Sequence, residues 1–377
     1  MAFSKPLQTD FPADRPPFVW VLAPSVQTED PNLDYYYDFS QSIGEYTRVF
    51  EQLELNWKWQ PVTLENFQDV IARIAEAGNT QTPLILNLCD GDEVNSTPGI
   101  SVIHCLKQYG LIYTGAEPAF YENTTSKIVM KELFDQAGVV HAAWKPIPGK
   151  DAQLDGICEA IGVPLIVKPA VSGGSMGLGT RNVVHSDTEL LELVLELLNG
   201  YRGWDFTFGG LVAEKFISGP EYTVFISGSF DQPDSAILYT PVERVFHQDL
   251  PDIQKFLSFD RLWETYEAEK PINETDDFYQ YQLPPEALRD AVKLHSWNAY
   301  CAVKGTGYGR VDLRMDQHTG QIYVLEVNAQ CGLSEDENFT SIGAIARLGQ
   351  HPYADMIVHI LQDALQRHYQ PKTVTAS

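Results

Sequence analysis

Three stretches of this 377-residue chain combine residue types at spacings that can do chemistry. In SGGSMGLG (Ser172–Gly179) small residues expose backbone N–H groups that can wrap phosphate oxygens. Lys168 lies four residues before this segment at the end of an apolar run, and Lys127 stands at the start of the preceding helical segment, so two cations can converge on one polyphosphate. The alternative is an ordinary glycine hairpin with solvated lysines. Lys131, one helical turn after Lys127, reads as a surface charge. Dinucleotide fingerprints and P-loops place a helix directly after the glycines; here strand-like runs flank them on both sides, which excludes both.

The second stretch is GYGRVDLRMDQHTGQIYVLEVN (Gly307–Asn328), which reads as a hairpin turning around Gln317–Gly320. Strand side chains alternate faces, so Arg310, Asp312 and Arg314 share one face, and Glu326 and Asn328 share a face of the partner strand. Asp312 then lies opposite or diagonal to Glu326, and two carboxylates and an amide oxygen suit magnesium completed by phosphate and water. An exposed face on which Arg310 and Arg314 pair the acids is the competing reading. The third stretch, VAEKFISGPEYTV, brackets an apolar segment with Glu214 and Glu221. It suits adenine beside a ribose-binding carboxylate, or a plain strand with solvated acids.

These groups need elements to position them. Apolar runs at Phe18–Ala23, Pro83–Leu88 and Leu111–Thr114 alternate with helical periodicity about Ile43–Leu53, Glu65–Ala77 and Ile100–Tyr109, implying a parallel sheet covered by helices. Ser126 is placed to cap a helix over Lys127–Ala137 that Gly138 closes, and Ser186 with Glu189 forms a capping-box pattern before a helix ending at Gly200. A polar, irregular stretch runs from about His247 to Pro285. A helix about Glu286–Val303, the hairpin, and a last helix about Tyr353–Arg367 follow. The Tyr35–Tyr37 run reads as packing or surface aromatics.

Composition bounds the partners. With 26 Lys and Arg against 51 Asp and Glu, the net charge is −25, which disfavours nucleic acid and anionic membranes as partners. No apolar run approaches the roughly 18 residues of a membrane helix. Five scattered cysteines without CxxC spacing read as reduced thiols, so the expected compartment is the cytoplasm.

Taken in order, SKIVMKELFDQAG, PLIVKPAVSGGSMGLG, LVAEKFISGPEYTV, and GRVDLRMD with IYVLEVNAQCGL resemble the ATP-grasp superfamily and, within it, the D-alanine–D-alanine ligase family. The resemblance implies an α/β (α+β) ATP-grasp fold in three units. These are an N-terminal parallel α/β substrate domain (1–126), a small central lid domain (127–217) and a C-terminal, mostly antiparallel catalytic domain (218–377). It implies ATP and magnesium, commonly two ions, and a small carboxylate and an amine as substrates. Lys127 and Lys168 match the phosphate-binding lysines, and Ser175 and Gly177 the loop that closes over them. Glu214, Lys215, Phe216 and Ile217 match the adenine segment, and Glu221 the ribose position. Asp312, Glu326 and Asn328 match the metal ligands, Arg310 the oxyanion-stabilising arginine, and Gly332 a backbone position beside the acceptor. A homodimer is implied by the resemblance alone. A ligase acting on a peptide or a specialised biosynthetic intermediate, and a nucleotide-binding protein without catalysis, are the alternative functions.

The departures fall on the amino-acid side. APSVQTEDPNLDYYYD and LCDGDEVNSTPG do not follow the family pattern, leaving Asp90, Asp92 and Glu93 as candidate contacts for a substrate ammonium or as solvated loop acids. Gly174 stands where the family offers a serine. Lys270, a catalytic candidate with Arg310 and Ser175, comes one residue after the lid-lysine position, which Glu269 occupies, and Cys331 replaces a proline. The expected specificity is therefore different or wider.

Overall fold

In a computed structural model the chain is described over residues 7, 11–25, 38–95, 97–272, 277–336 and 340–369. The Tyr35–Tyr37 run and most of the non-matching N-terminal segment lie outside the described residues. The fold is mixed α/β, built on three sheets.

The first sheet is parallel, in the order β2–β1–β3–β4, with β1 Pro17–Pro24, α1 Ser40–Gln52, β2 Asn56–Val62, α2 Phe67–Ala77, β3 Thr82–Asn87, α3 Ile100–Gln108 and β4 Ile112–Tyr113. Both faces are buried, as parallel sheets require. Val19, Val21, Leu84 and Leu86 pack with Tyr46 and Phe50 of α1, while Leu22 and Ile85 join Ile71 and Ile103 of the opposite helices. The alternation within β1 and β3 thus supplies two cores. The polar edge strand β2 is additional to the elements expected from sequence.

Two helices, α4 Pro118–Thr125 and α5 Lys127–Ala137, lead out of this sheet. Proline at its first position suits α4 to start a helix. Ser126 makes no side-chain cap bond to α5; instead it bridges to Val171, and the Lys127 N–H donates to the Ala170 carbonyl. Gly138 ends α5 in the left-handed conformation, as its lack of a Cβ permits.

The second, small sheet has the order β5–β8–β6–β7 and is antiparallel. It comprises β5 Trp144–Ile147, a short α6 Ile157–Ile161, β6 Leu165–Pro169, β7 Val183–Val184, α7 Asp187–Leu198 and β8 Leu211–Lys215. The Ser186 hydroxyl accepts the Glu189 N–H at 3.2 Å and caps α7 as expected. Its core is separate, with Leu190, Leu193, Val194 and Leu197 packing on Leu165, Val167 and Leu211.

The third sheet is antiparallel. It contains β9 Glu221–Ser227, β10 Ile237–Leu238, β11 Val242–Phe246, α8 Phe259–Trp263, β12 Tyr279–Gln282, α9 Glu286–Ala302, β13 Tyr308–Met315 and β14 Ile322–Ala329, in the strand order β12–β11–β9–β13–β14. α10 Ser341–Gly349 and α11 Tyr353–Tyr369 close the chain. One face carries Tyr222, Val224, Ile226, Val311, Leu313, Val324 and Val327 against Val292 and Tyr300 of α9.

The other face carries the charges, and a bulge makes this possible. Asp312 pairs with Glu326 but Leu313 pairs with Val324, so Leu325 is an extra residue in β14. Strict alternation would put Ile322 and Val324 on the same face as Glu326 and Asn328. The bulge resets the parity, leaving Val324 in the core and turning Glu326 outward.

Candidate active site

The charged face is organised in rows set by strand register. Arg244, Glu221 and Arg314 lie side by side on β11, β9 and β13; Thr223, Asp312 and Glu326 form the next row; Arg310 faces Asn328 in the third. The Asp312 carboxylate accepts from Arg310 Nη2 at 2.8 Å, from the Thr223 hydroxyl at 2.8 Å and from Asn328 Nδ2 at 3.0 Å. The same amide lies 3.3 Å from a Glu326 oxygen, so the three side chains meet at one point. Two carboxylates and an amide form a donor set suited to magnesium that takes its remaining ligands from phosphate and water, once the amide presents its oxygen. Among the described residues no cluster of three or more His, Cys, Asp or Glu is arranged for a metal. The face is substantially buried rather than an open salt-bridged surface, although Arg310 and Arg314 do pair acids.

Glu221 is not a solvated acid. Its two oxygens are held by ion pairs to Arg244 and Arg314, and all three groups are buried or nearly so. Arg314 also donates to the carbonyls of Ile217 (3.1 Å) and Lys255 (2.8 Å), and Arg244 donates to the Tyr281 hydroxyl at 2.8 Å. Burial alone would raise the Glu221 carboxyl, but the two guanidiniums hold it below the ordinary range. Arg244 was invisible to motif reading because it sits on a strand with no glycine or paired-acid signature.

Opposite this face lies the small sheet. Lys168 on β6 and Glu214 on β8 project from the same face, diagonal to one another. Lys168 is ion-paired to Glu214, and Lys131 meets the other oxygen of that carboxylate at 2.5 Å. Lys131 is only 1% exposed, which corrects its reading as a surface charge. The available signal was its four-residue spacing from Lys127, which puts both on one helix face. Lys127 donates to the Ser172 carbonyl at 3.2 Å and lies 4.0 Å from Glu326, linking the glycine segment to the carboxylate set. The Glu326 carboxyl is pushed up by burial, yet Lys127, Lys168 and Arg310 outweigh this and keep it below its ordinary value.

Glu214 is held down to about 2 because the ammoniums of Lys131 and Lys168 outweigh its burial. A depressed carboxyl adds stability that is complete above its ordinary value of 4.5 and is lost as pH falls toward about 2. The urea midpoint is expected to decline across that window, and Glu214→Gln to flatten this part of the profile; an unchanged profile would remove Glu214 as its source.

Glycine conformations shape the phosphate segment. Ser175 and Gly177 both have positive φ, and a Cβ on Gly177 would come within 2.7 Å of Phe206 and Pro169. The irregular segment after β11 closes on this loop. The Ser175 hydroxyl donates to the Leu257 carbonyl at 3.1 Å, Trp263 Nε1 to the Gly174 carbonyl at 2.8 Å and the Thr180 N–H to Glu269 at 2.9 Å. Glu269 is itself ion-paired to Arg261 at 2.9 Å and accepts from Ser258. The lid-lysine position therefore holds a buried acid committed to closing the loop, whereas Lys270 is exposed. In the segment expected to hold adenine, Phe216 and Ile217 are buried, Phe216 packs edge-on against Phe256, and the Lys215 ammonium turns away to the Val163 carbonyl.

The three acids of the N-terminal loop separate. Glu93 accepts from the N–H groups of Gly99 and Ser101 and from the Ser101 hydroxyl, so it caps α3, and Asp92 accepts from the N–H groups of Val94 and Asn95. Neither is a solvated loop acid. Asp90 stays open to water in a crevice whose enclosure, reinforced by Asp92, pushes its carboxyl up to about 6. Gly332 is exposed, with open space where a Cβ would be. Between these two positions Gln330, buried in the left-handed conformation, accepts the Ala116 N–H at 2.9 Å and donates to the Asn87 carbonyl, tying β14 to the first sheet.

Comparison with known proteins bears on this arrangement. Residues 133–362 match the family described as D-ala D-ala ligase C-terminus. The D-alanine–D-alanine ligase of Desulfotalea psychrophila is 29% identical over 227 residues, covering 60% of this chain and 62% of that protein. The D-alanine–D-alanine ligase B of Xanthomonas campestris pv. campestris is 29% identical over 252 residues, covering 66% and 69%. Among solved structures, D-alanine–D-alanine ligase from Bacillus anthracis complexed with ATP superposes with a TM-score of 0.64 at 18% identity, over 93% of this chain and 98% of that one. The enzyme from Coxiella burnetii gives 0.61 at 14% identity over 93% and 96%. These superpositions establish a shared fold. The first of the curated relatives is matched over less than two thirds of its length, and the family match begins only after Lys127.

Proposed function

This chain belongs to the D-ala D-ala ligase C-terminus family, and from that membership we propose that it is an ATP-dependent, ADP-forming carboxylate–amine ligase acting on small molecules. The observation that carries the proposal is the bridging position of Lys127, which touches the glycine segment on one side and faces Glu326 on the other. The groups proposed to bind phosphate and those proposed to bind metal thus meet at one side chain.

The charges suggest the course of the reaction. A substrate carboxylate attacking the γ-phosphate brings two anions together, so developing charge has to be neutralised by groups already in place. Lys127, Lys168 and the N–H groups of Ser175 and Gly177 would hold the phosphates, the Met176 N–H being donated to the Gly173 carbonyl. Asp312, Glu326 and Asn328 would hold magnesium, which would supply positive charge against the phosphate oxygens as the γ-phosphorus passes from the ADP oxygen to the substrate carboxylate. The acyl phosphate so formed is then attacked by an amine, and Arg310 stabilises the tetrahedral oxyanion before phosphate leaves. The contacts of Ser175, Trp263 and Glu269 close the glycine loop and exclude water from the acyl phosphate. We further assign Phe216 and Ile217 to adenine and Glu221 to the ribose side. The three units 1–126, 127–217 and 218–377 are proposed as the bodies that close.

The substrate side supports a specificity other than, or wider than, D-alanine. Gly174 lacks a hydroxyl, Glu269 reverses the charge of the lid position, and Asp90 alone of the loop acids is left facing the crevice. Incubation with ATP, magnesium and a panel of D- and L-amino acids and simple amines is expected to release ADP and phosphate with at least one pair. Mass spectrometry should detect the corresponding amide. Absence of turnover across the panel, with ATP still bound, would favour a nucleotide-binding protein without catalysis.

A further inference from the structure

Resting on the assignment of Lys127 and Lys168 to ATP phosphates, we infer that Lys131 is a positioning residue that keeps Lys168 electrostatically available to phosphate by sharing the carboxylate of Glu214. Three ammoniums, those of Lys127, Lys131 and Lys168, stand against two carboxylates, Glu214 and Glu326, which leaves the cradle one positive charge. Lys131 and Glu214 have side chains only 2% and 3% exposed, whereas Lys127 and Lys168 are 14% and 17% exposed. Lys131 therefore acts through Glu214, and the two partly open lysines face the ligand.

Without Lys131 the Glu214 carboxylate belongs to Lys168 alone, and the pair becomes neutral toward an incoming anion. With Lys131 in place the carboxylate is divided between two cations on opposite sides, one from α5 and one from β6. The bridge also has a mechanical consequence. α5 is anchored on the third sheet, where Met130 Sδ accepts the Val327 N–H at 3.3 Å, so Lys131–Glu214 ties the small sheet to the element that carries Glu326 and Asn328.

The test is calorimetric titration of the full-length protein with ATP and, separately, with adenosine. Lys131→Met is expected to weaken ATP binding by about tenfold or more, about 1.4 kcal/mol per decade, while leaving adenosine affinity unchanged. The effect should shrink at high salt, where exposed phosphate charge is screened. Lys131→Arg keeps the charge and should stay within about threefold of the parent. The double variant Lys131→Met with Glu214→Gln removes one charge of each sign, restores the net positive cradle and should recover most of the ATP affinity; it also serves if Lys131→Met alone folds poorly. Unchanged ATP affinity in Lys131→Met, equal losses for ATP and adenosine, or a folded double variant as weak as the single one would each overturn the inference. If the parent protein itself fails to bind ATP, the nucleotide assignment falls first, so the two failures are distinguishable.

Discussion

Glu326→Gln is expected to reduce ADP release about a thousandfold, or about 4 kcal/mol, the upper end of what removing one preorganised electrostatic group costs an enzyme. The substitution preserves shape and hydrogen-bonding length while removing the charge that faces Lys127 and one of the two carboxylates proposed to hold magnesium. The fold should persist, because the Glu326 side chain is 29% exposed and the neighbouring valines Val324 and Val327 carry the packing of β14. Thermal unfolding should therefore stay close to the parent, and ATP binding without magnesium should not weaken, since the cradle of Lys127, Lys131 and Lys168 loses an opposing charge, while turnover collapses. Parent-like ADP release would sink the metal assignment outright. Asp312→Asn makes a less clean test, since it also releases Arg310 and Thr223 from their shared acceptor.

How much of this site could be read from sequence depended on whether chemistry or packing placed the residue. Lys127, Lys168, Asp312, Glu326 and the glycine segment stood out because the phosphate and metal chemistry proposed for them tolerates few residue types at few spacings. Helix α5 was legible to the residue, because Gly138 marks its end and its apolar positions repeat at helical spacing. The pairing of Asp312 with Glu326 also followed from hairpin reasoning, but for an incomplete reason. Alternation alone would place Ile322 and Val324 on the charged face, and only the extra residue Leu325 separates them from Glu326. Nothing in the local sequence announces that bulge.

The groups that stayed hidden owe their roles to partners far away in the chain. Lys131 becomes buried because β8 brings Glu214 against α5, and Arg244 is recruited by Glu221 through strand register. Glu93 seemed available to substrate in sequence, yet the N-terminus of α3 consumes both its oxygens. Departures from the family pattern were visible as letters but not as consequences. Glu269 in the lid-lysine position is an acid that bonds Thr180 and pairs with Arg261, so the change reverses a charge and ties the segment to the end of the glycine loop.

Arg310→Lys is expected to lower amide formation about a hundred- to a thousandfold, although it keeps the charge. Arg310 uses Nε and Nη2 on the Asp312 carboxylate, at 2.8–3.1 Å, and among the described residues its Nη1 has no hydrogen-bond partner. One edge of the planar fork is thus fixed by Asp312 while the other is left for the oxyanion proposed to form beside Gly332. A lysine offers a single ammonium on a flexible stem and cannot hold both positions at once. Because Arg310 is assigned to the second step, the variant should still form acyl phosphate and bind ATP near parent affinity. Its ADP release should then exceed its amide yield, as water intercepts the intermediate. Measuring ADP and amide in the same reaction separates this from a folding defect, which would lower both together; an equal loss of the two would move Arg310 from the oxyanion to the phosphoryl-transfer step.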